Sequence, residues 1–352
     1  MLKVSEEARR LHEDSHVIDL HVDSLLLARQ FGYDITRRHR AWLPGGALGS
    51  HADLPRMRQG GIDTVGFGLV VNPLAKPFKR WQNALYQAEL FKKTCRDSAG
   101  LLQLAGCAHE ARALKADNKF GAFLGMEGAH GLGDDIFNLK EARDVGVRYI
   151  TLTHLSANKA AHPAKGKGAN PKQGISDWGF ALIEEMNSLG ILVDLAHVNK
   201  KGFMQAIEHS KTPCIVSHAG VMSEHDHWRN LDDEQIRAIA KSGGTIGLIF
   251  APNYLCGKRR CKAEVVIRHM EYIIMLVGED HVSIGSDFDG YIVGTPDDLR
   301  DASYMPTLTQ LMLERYWSEE RIRKVLGGNF LRVFEEVCCD VPVLEANGIS
   351  SI

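Results

Sequence analysis

The sequence predicts a (β/α)8 TIM-like barrel, and three observations support this prediction. Short apolar runs alternate with longer amphipathic segments along the chain. Each run is almost wholly apolar, which suits a strand that is buried on both faces of a parallel sheet. Polar residues that bind metals or protons follow most runs directly, and barrel active sites lie at these strand ends. An open, doubly wound parallel sheet is the alternative fold for the same alternation.

Eight apolar runs are predicted strands. In chain order they are "HVIDL" (16–20), "IDTVGFGLVV" (62–71), "FGAFLGME" (120–127), "VRYITLT" (147–153), "ILVDLA" (191–196), "TPCIVS" (212–217), "GTIGLIF" (244–250) and "HVSIGS" (281–286). A weaker run, "LLQLAG" (101–106), leaves the number of strands at eight or nine. Stretches such as "DWGFALIEEMNSLG" and "DEQIRAIAKSGG" predict helices between them, and the second ends in glycine as helices often do.

The length and charge of the chain restrict its domain organisation and its partners. We expect one hydrolase domain over residues 1–352, with a helical lead-in at 1–15 and C-terminal helices and a tail at 303–352. The 42 basic and 44 acidic side chains nearly balance, so nothing in the charge would attract nucleic acid or an anionic membrane. The seven cysteines form no CxxC pair, and no apolar segment suggests a leader or a membrane span. These features favour a cytoplasmic protein.

Six of the eight predicted strands end in a side chain that can bind a metal or a proton. These side chains are His21 with Asp23, Glu127, His154, His197, His218, and Asp287 with Asp289. A single histidine after a strand is usually a loop residue, but six independent coincidences are hard to accept. In a barrel the six strand ends meet at one mouth, where they would form one site.

The residue types at this mouth indicate a divalent metal, with zinc favoured. Imidazole and carboxylate are the usual non-thiolate ligands of zinc. His21 and Asp23 leave their strand on the same face and could share one ion, because alternate side chains of a strand point the same way. His197 and His218 could hold a second ion, and the two oxygens of Glu127 could bridge the pair. Two such ions would supply a hydroxide nucleophile at neutral pH.

Seven sequence motifs together resemble the renal (membrane) dipeptidase family of the amidohydrolase superfamily. They are "DLHVD", "GMEG", "YITLTH", "LVDLAHV", "IVSHAGV", "RNLDDEQ" and "IGSDFDG", and they come in the family's order and at similar spacing. The similarity runs from about residue 16 to about residue 335. The HxD pair alone is weak, whereas the seven motifs together are specific. The resemblance implies a homodimeric metallodipeptidase that cleaves short peptides, mainly dipeptides. It also implies tolerance of a D-residue at the C-terminal position.

The resemblance also implies a role for each residue of the site. His21, Asp23 and Glu127 would bind the first zinc ion, and Glu127, His197 and His218 the second, with a hydroxide bridging the two ions. His154 would hydrogen-bond the scissile carbonyl oxygen and its oxyanion. Asp287 would carry the proton from the hydroxide to the leaving amine. Arg229 would hold the substrate's C-terminal carboxylate, and Tyr254 would lie near the substrate pocket.

Several other polar residues have competing interpretations. Asp289 is a rival to Asp287, because one strand step of two separates them. His16 begins its strand and is expected at the opposite end of the barrel. His225 and His227 either line the substrate side or are solvated loop residues. His130, His162 and His209 are expected in loops or at the surface, and residues 156–175 in a long functional loop.

Two alternative functions remain at this point. Another amidohydrolase activity, such as N-acyl amino acid or lactone hydrolysis, commonly relies on a carboxylated lysine at a strand end. Glu127 and His154 stand at the corresponding ends here, which disfavours that alternative. A non-catalytic binding protein on the same scaffold would usually show a broken ligand set, and this set is complete.

Overall fold

The computed structural model describes residues 3–40 and 49–339. Within these ranges nine parallel strands form one sheet in the order β2-β1-β9-β8-β7-β6-β5-β4-β3, and pairing of β2 with β4 closes eight of them into a barrel. The strands are β1 Ile18–Val22, β2 Thr64–Val70, β3 Leu102–Leu104, β4 Phe120–Glu127, β5 Val147–Thr151, β6 Leu192–Asp194, β7 Ile215–Ala219, β8 Thr245–Leu248 and β9 Val282–Ile284. The (β/α)8 prediction is therefore confirmed, and the open-sheet alternative is wrong.

The weak run at 101–106 forms β3, which lies outside the barrel ring. It pairs with the first residues of β4, from Leu102 opposite Phe120 to Leu104 opposite Ala122. Strand β5 pairs with β4 only from Leu124 onward. Strand β2 pairs along the other edge of β4. Strands β3 and β5 therefore share one edge of β4, and the shorter strand β3 pairs with the part of that edge that comes before the part paired with β5.

Helices connect the strands and flank the barrel. They are α1 Glu6–Asp14, α2 Ser24–Phe31, α3 Leu54–Gln59, α4 Pro77–Asp97, α5 Ala108–Ala116, α6 Asn138–Asp144, α7 Asp177–Ser188, α8 Lys200–His209, α9 Asp233–Lys241, α10 Pro252–Cys256, α11 Glu264–Val277, α12 Pro306–Glu314, α13 Glu319–Arg323 and α14 Asn329–Cys338. The predicted helices α7 and α9 begin at side-chain caps, Ser176 and Asp232, which accept from otherwise unpaired backbone N–H groups. No helix in the described ranges is long and apolar enough to cross a membrane.

Helix α14 closes the end of the barrel where the strands begin. Its Phe330 and Phe334 pack against Phe123 of β4, with ring centroids 5.3 and 5.2 Å apart. Leu20 of β1 and Leu192 of β6 belong to the same buried cluster. Each buried phenylalanine contributes roughly 1.5–3 kcal/mol to stability. This apolar plug leaves the opposite mouth as the part of the interior available for polar chemistry.

Helices lie near both ends of the described part of the chain. Helix α1 lies in the predicted lead-in, and α12 to α14 lie in the predicted C-terminal helices, while residues 340–352 fall outside the described part. The assignment of residues 1–352 to a single domain stays a prediction. His16 lies 3.0 Å from Thr64 Oγ1 at the start of β2, at the end of the barrel away from His21.

Candidate metal centre and substrate cavity

Glu127, the last residue of β4, lies at the centre of the predicted site. Its Oε1 is 3.1 Å from His197 Nε2, 3.5 Å from His218 Nε2 and 3.7 Å from His21 Nε2. Its Oε2 is 3.6 Å from His154 Nε2. Four imidazoles from four different strand ends therefore surround one buried carboxylate, as the barrel topology predicts.

His21 joins this cluster to two further carboxylates. Its Nε2 lies 3.3 Å from Asp23 Oδ1 and 4.0 Å from Asp287 Oδ1. The rings of His21 and His218 stack with centroids 4.3 Å apart. Three sets of possible ligand atoms lie within 4.8 Å of one another: His21, Glu127 and His218; Glu127, His154 and His197; His21, Asp23 and Asp287. The structure thus brings all seven metal and catalytic candidates together.

Burial shifts the pKa values of several groups in the cluster. Burial and the nearby Arg229 guanidinium keep the pKa of His197 and of His218 well below the usual value, so both imidazoles are neutral. Their Nε2 atoms face each other at 3.1 Å. Burial holds the pKa of Asp287 well above that of an ordinary carboxyl group. Each of these two neutral imidazoles has a nitrogen lone pair that it can donate to a cation.

Two buried atoms of the cluster fit a metal. Within residues 3–40 and 49–339, His21 Nε2 and Asp23 Oδ1 are buried, lie 3.3 Å from each other and make no hydrogen bond. A buried polar group without a hydrogen bond costs about 1–3 kcal/mol. Nitrogen and oxygen ligands of this kind suit zinc and other divalent first-row ions. A cation bound here would satisfy both atoms.

A hydrogen-bond chain behind His218 sets its tautomer. The Ser217 hydroxyl donates to Asp194 Oδ2 at 2.7 Å, and Thr151 Oγ1 donates to the same oxygen at 2.6 Å. Since the Ser217 hydroxyl proton points at Asp194, its oxygen accepts from Nδ1–H of His218, at 2.9 Å. The Nε2 atom of His218 is therefore left unprotonated and directed at Glu127.

The Tyr149 hydroxyl contacts Nδ1 of His21, as the Ser217 hydroxyl contacts Nδ1 of His218. The Tyr149 hydroxyl lies 2.6 Å from His21 Nδ1, and the residue is fully buried in β5. Neither Tyr149 nor Asp194 was among the candidates from the sequence. The available signal was a polar group inside an apolar strand, since "VDLAH" contains a buried aspartate and "RYITLTH" a buried tyrosine. Groups of this kind orient metal-binding histidines in many proteins.

Two site residues have strained backbones. His197 has φ +64° and Asp287 has φ +61°, both in the left-handed region that residues other than glycine rarely adopt. Each such conformation costs of order 1–3 kcal/mol. The predicted loop 156–175 supports His197, because Ala164 N–H donates to the His197 carbonyl at 2.7 Å. The surrounding structure therefore holds His197 in a conformation that turns it into the mouth.

A cavity of about 430 Å³ opens above the cluster. Arg229 is buried at its wall, where Nη2 donates to the His218 carbonyl at 2.5 Å. Its Nε makes no hydrogen bond within the described part of the chain. The other predicted site residues that line the cavity are Asp23, Glu127, His154, His197, Tyr254 and Asp287. A space of this size holds a small molecule, and Arg229 presents a cation to it.

The comparisons with known proteins agree with this geometry. The family model for membrane dipeptidases, peptidase family M19, matches residues 5–340. An uncharacterized dipeptidase of Schizosaccharomyces pombe is 32% identical over 303 residues, which cover 82% of this chain and 73% of that protein. The chain belongs to the membrane dipeptidase family.

Two solved structures of related enzymes share the fold of this dipeptidase-family chain. The dipeptidase AC, a metallopeptidase of family M19, is 28% identical with a TM-score of 0.82, over 92% of this chain and 99% of that one. A metallopeptidase from Rhodobacter sphaeroides, liganded with a phosphinate mimic of the dipeptide L-Ala-D-Ala, gives the same identity and TM-score over 92% of this chain and 100% of that one. The chain is thus a hydrolase of a metal-dependent family, as the sequence predicts.

Asp289 and His130 differ in position from the catalytic candidates of this dipeptidase-family site. Asp289 accepts from the Ser24 hydroxyl at 2.5 Å and from His51 N–H at 2.6 Å, so this buried carboxylate braces a loop.

The expectation that His130 lies at the surface or in a loop is wrong. It is buried in the 3₁₀ helix Ala129–Leu132, with Nε2 3.2 Å from the Val71 carbonyl. Contacts with α4, distant in sequence, cover this helix.

The two extra histidines lie beside the substrate side of the site. The His227 ring stacks on the ring of Tyr254, with centroids 4.8 Å apart, and Tyr254 lines the cavity. The rings of His225 and His227 stack at 6.1 Å. His227 is therefore placed to support the wall that contains Tyr254.

Proposed function

We propose that this chain is a metallodipeptidase that hydrolyses free dipeptides at a pair of divalent metal ions, with zinc favoured. The central observation is Glu127, a buried carboxylate with four imidazole nitrogens within 3.7 Å. The structural relative that is liganded with an L-Ala-D-Ala mimic supports tolerance of a D-residue at the C-terminal position. The family match supports the reaction class.

The proposed ligands divide into two sets that share Glu127. His21, Asp23 and Glu127 would hold one ion, and Glu127, His197 and His218 the other. When bound, such a pair lowers the pKa of a water molecule to near neutrality and polarises a carbonyl group. Tyr149 and Ser217 would keep Nδ1 of His21 and of His218 engaged, which leaves Nε2 of each ring free for the metal.

Asp287 is the proposed proton carrier. It lines the cavity and lies beside His21, so it would be close to both the attacking water and the scissile amide of a bound substrate. Hydrolysis of an amide requires a proton on the departing nitrogen. The positive charge of the bound ions would lower the raised pKa of Asp287, so that its carboxylate would take the proton that the water releases and deliver it to that nitrogen. Its fixed φ of +61° would hold the carboxyl group over the substrate.

Arg229 and His154 would bind the two ends of the reacting group. The buried Arg229 guanidinium can pair with the C-terminal carboxylate of a dipeptide through its planar fork. His154, the most exposed imidazole of the cluster with 21% of its side chain accessible, can donate to the carbonyl oxygen as negative charge develops. A carboxylate clamp this close to the scissile bond would favour very short substrates. Tyr254 would form the wall beside Arg229.

A substrate panel with metal analysis tests this proposal. The panel contains L-Xaa-L-Xaa and L-Xaa-D-Xaa dipeptides, dipeptide amides and N-acetyl amino acids, and metal content is measured on the same sample. We expect hydrolysis of free dipeptides of both classes and two metal ions at the mouth. A metal-loaded enzyme that leaves every dipeptide intact would contradict the proposal, and faster N-acetyl amino acid cleavage would favour the amidohydrolase alternative. The homodimer and the cytoplasmic location stay predictions.

A further inference from the structure

A second group of metal-binding side chains lies outside the proposed active site. Cys107 Sγ is 2.9 Å from His109 Nδ1, and one ligand atom from each of Cys107, His109 and Cys339 lies within 4.8 Å of the others. Cys107 is buried, Cys339 is half-buried and His109 is exposed. A cluster of two thiols and one imidazole therefore reaches the surface.

This cluster lies at the end of the barrel opposite the mouth. Cys107 immediately precedes α5, and Cys339 immediately follows α14, the helix that plugs the barrel. The adjacent Cys338 Sγ is 3.9 Å from the carbonyl of Arg148, near the start of β5. His154 follows the other end of that strand. The cluster is therefore independent of the proposed peptidase site.

Contacts between α5 and α14 hold the three side chains together. Ala108 N–H donates to Cys339 Sγ at 3.3 Å, across a separation of 231 residues. Arg112 of α5 pairs with Glu335 of α14 at 2.9 Å. Ala108 and Ala111 pack in the same cluster as Phe334 and Val337. The arrangement thus rests on helix packing as well as on the thiols.

We propose that Cys107, His109 and Cys339 form a zinc site that fastens the end of α14 to the start of α5. Thiolate and imidazole are the ligands that zinc prefers. Zn–S and Zn–N bonds of about 2.3 and 2.0 Å place ligand atoms about 3.5–3.8 Å apart in a tetrahedron. Cys107 and His109 would separate by less than about 1 Å to reach this spacing. The exposed His109 side leaves the fourth position to water.

Cobalt(II) is a suitable probe, because thiolate ligands give it an intense near-ultraviolet charge-transfer absorption. The proposed ligands at the mouth are nitrogen and oxygen atoms, so this band reports a thiolate site separately from the active site. We expect the band in the reduced full-length protein and its loss in Cys107→Ser and Cys339→Ser. His109→Ala, a change at an exposed residue, should weaken cobalt binding at least tenfold while the protein stays folded.

The matched control is the double variant Cys256→Ser/Cys261→Ser, which removes another neighbouring thiol pair. It should keep the band. After zinc loading, Cys339→Ser should contain one metal equivalent fewer than the wild type and should retain dipeptide hydrolysis. Zinc should raise the Tm of the wild type more than that of Cys339→Ser.

Three results would overturn the zinc site. They are the absence of a thiolate band in the wild type, equal zinc content in the wild type and Cys339→Ser, and a Cys107–Cys339 disulfide in freshly isolated protein. The disulfide would be detected by mass spectrometry of non-reduced peptides. None of these results depends on peptidase activity, so failure of the zinc site and failure of the proposed function are distinguishable.

Discussion

Removal of the Tyr149 hydroxyl should weaken metal binding at the mouth without disturbing the barrel. The hydroxyl lies 2.6 Å from His21 Nδ1, and both residues are fully buried. Gly125 packs so closely on the ring that a Cβ atom there would lie 1.8 Å from Tyr149 Cζ. The ring of Tyr149→Phe should therefore stay in place, and no space opens for a water molecule to replace the hydroxyl.

The expected magnitude follows from the lost hydrogen bond. A buried ring N–H without a partner costs about 1–3 kcal/mol. Every 1.4 kcal/mol corresponds to about a tenfold change in Kd. Loss of a group that orients a metal-binding histidine typically weakens metal affinity or activity by about 10–100-fold. We therefore expect Tyr149→Phe to raise the Kd for zinc at the mouth about 10–100-fold.

Competition with a chromophoric chelator measures this Kd. Tyr272→Phe is the matched control, since the Tyr272 hydroxyl donates to Asp233 at 3.0 Å on the outer helices. The control should bind zinc like the wild type, and Tyr149→Phe should recover most of its activity at saturating zinc. A Kd of Tyr149→Phe within about twofold of the wild-type value would refute the role of Tyr149 in orienting His21.

Three further predictions address proton transfer, substrate anchoring and pH. Asp287→Asn should lower kcat by roughly 10²–10⁴-fold with metal content intact, and loss of the metal would instead make Asp287 a ligand. Arg229→Ala should reduce kcat/KM for free dipeptides more than for dipeptide amides, and equal losses would remove the carboxylate clamp. Buried His269 accepts a hydrogen bond from Val221 N–H, and burial lowers its pKa to about 4. Between pH 6.5 and 4 this side chain therefore takes up a proton only in the unfolded chain. Stability should therefore fall as the pH drops through this window, and His269→Gln should reduce the loss between pH 7 and 4.5 by about 2–3 kcal/mol in urea unfolding.

The barrel and its mouth could be predicted from the sequence for a physical reason. Parallel barrel strands are apolar along their length, so their ends are visible where polar residues begin. Glu127 and His197 follow such runs directly, and barrel topology then brings them together. The exact ends of the strands are harder to predict. Strand β6 ends at Asp194, where its hydrogen bonding stops, although the apolar run continues to Ala196.

The contacts of the groups behind the proposed metal ligands could not be predicted from the sequence. Tyr149 counts as an ordinary strand residue, and only the closure of the barrel brings its hydroxyl on β5 to His21 on β1, 128 residues away. Asp194 is buried like its apolar neighbours, yet it accepts from Ser217 and Thr151 on the two adjacent strands. Such pairings depend on strand register, which local pattern does not specify.

The burial of His130 also could not be predicted from local sequence. The surrounding "GAHGLG" is rich in glycine, which favours a loop. The structure folds four of these residues into a 3₁₀ helix and covers it with α4, more than 30 residues earlier in the chain. Whether a loop is solvated or covered depends on such distant contacts.

Zinc titration of the chelated enzyme tests the central claim most directly. The experiment uses Cys339→Ser, so that ions at the proposed thiolate site are not counted, and it records bound zinc and L-Ala-D-Ala hydrolysis on the same samples. We predict no hydrolysis without metal, and full activity when two ions are bound. Glu127→Gln should lose both the tight binding and the activity. Full hydrolysis by the metal-free enzyme, or by Glu127→Gln, would contradict a metal centre built around Glu127.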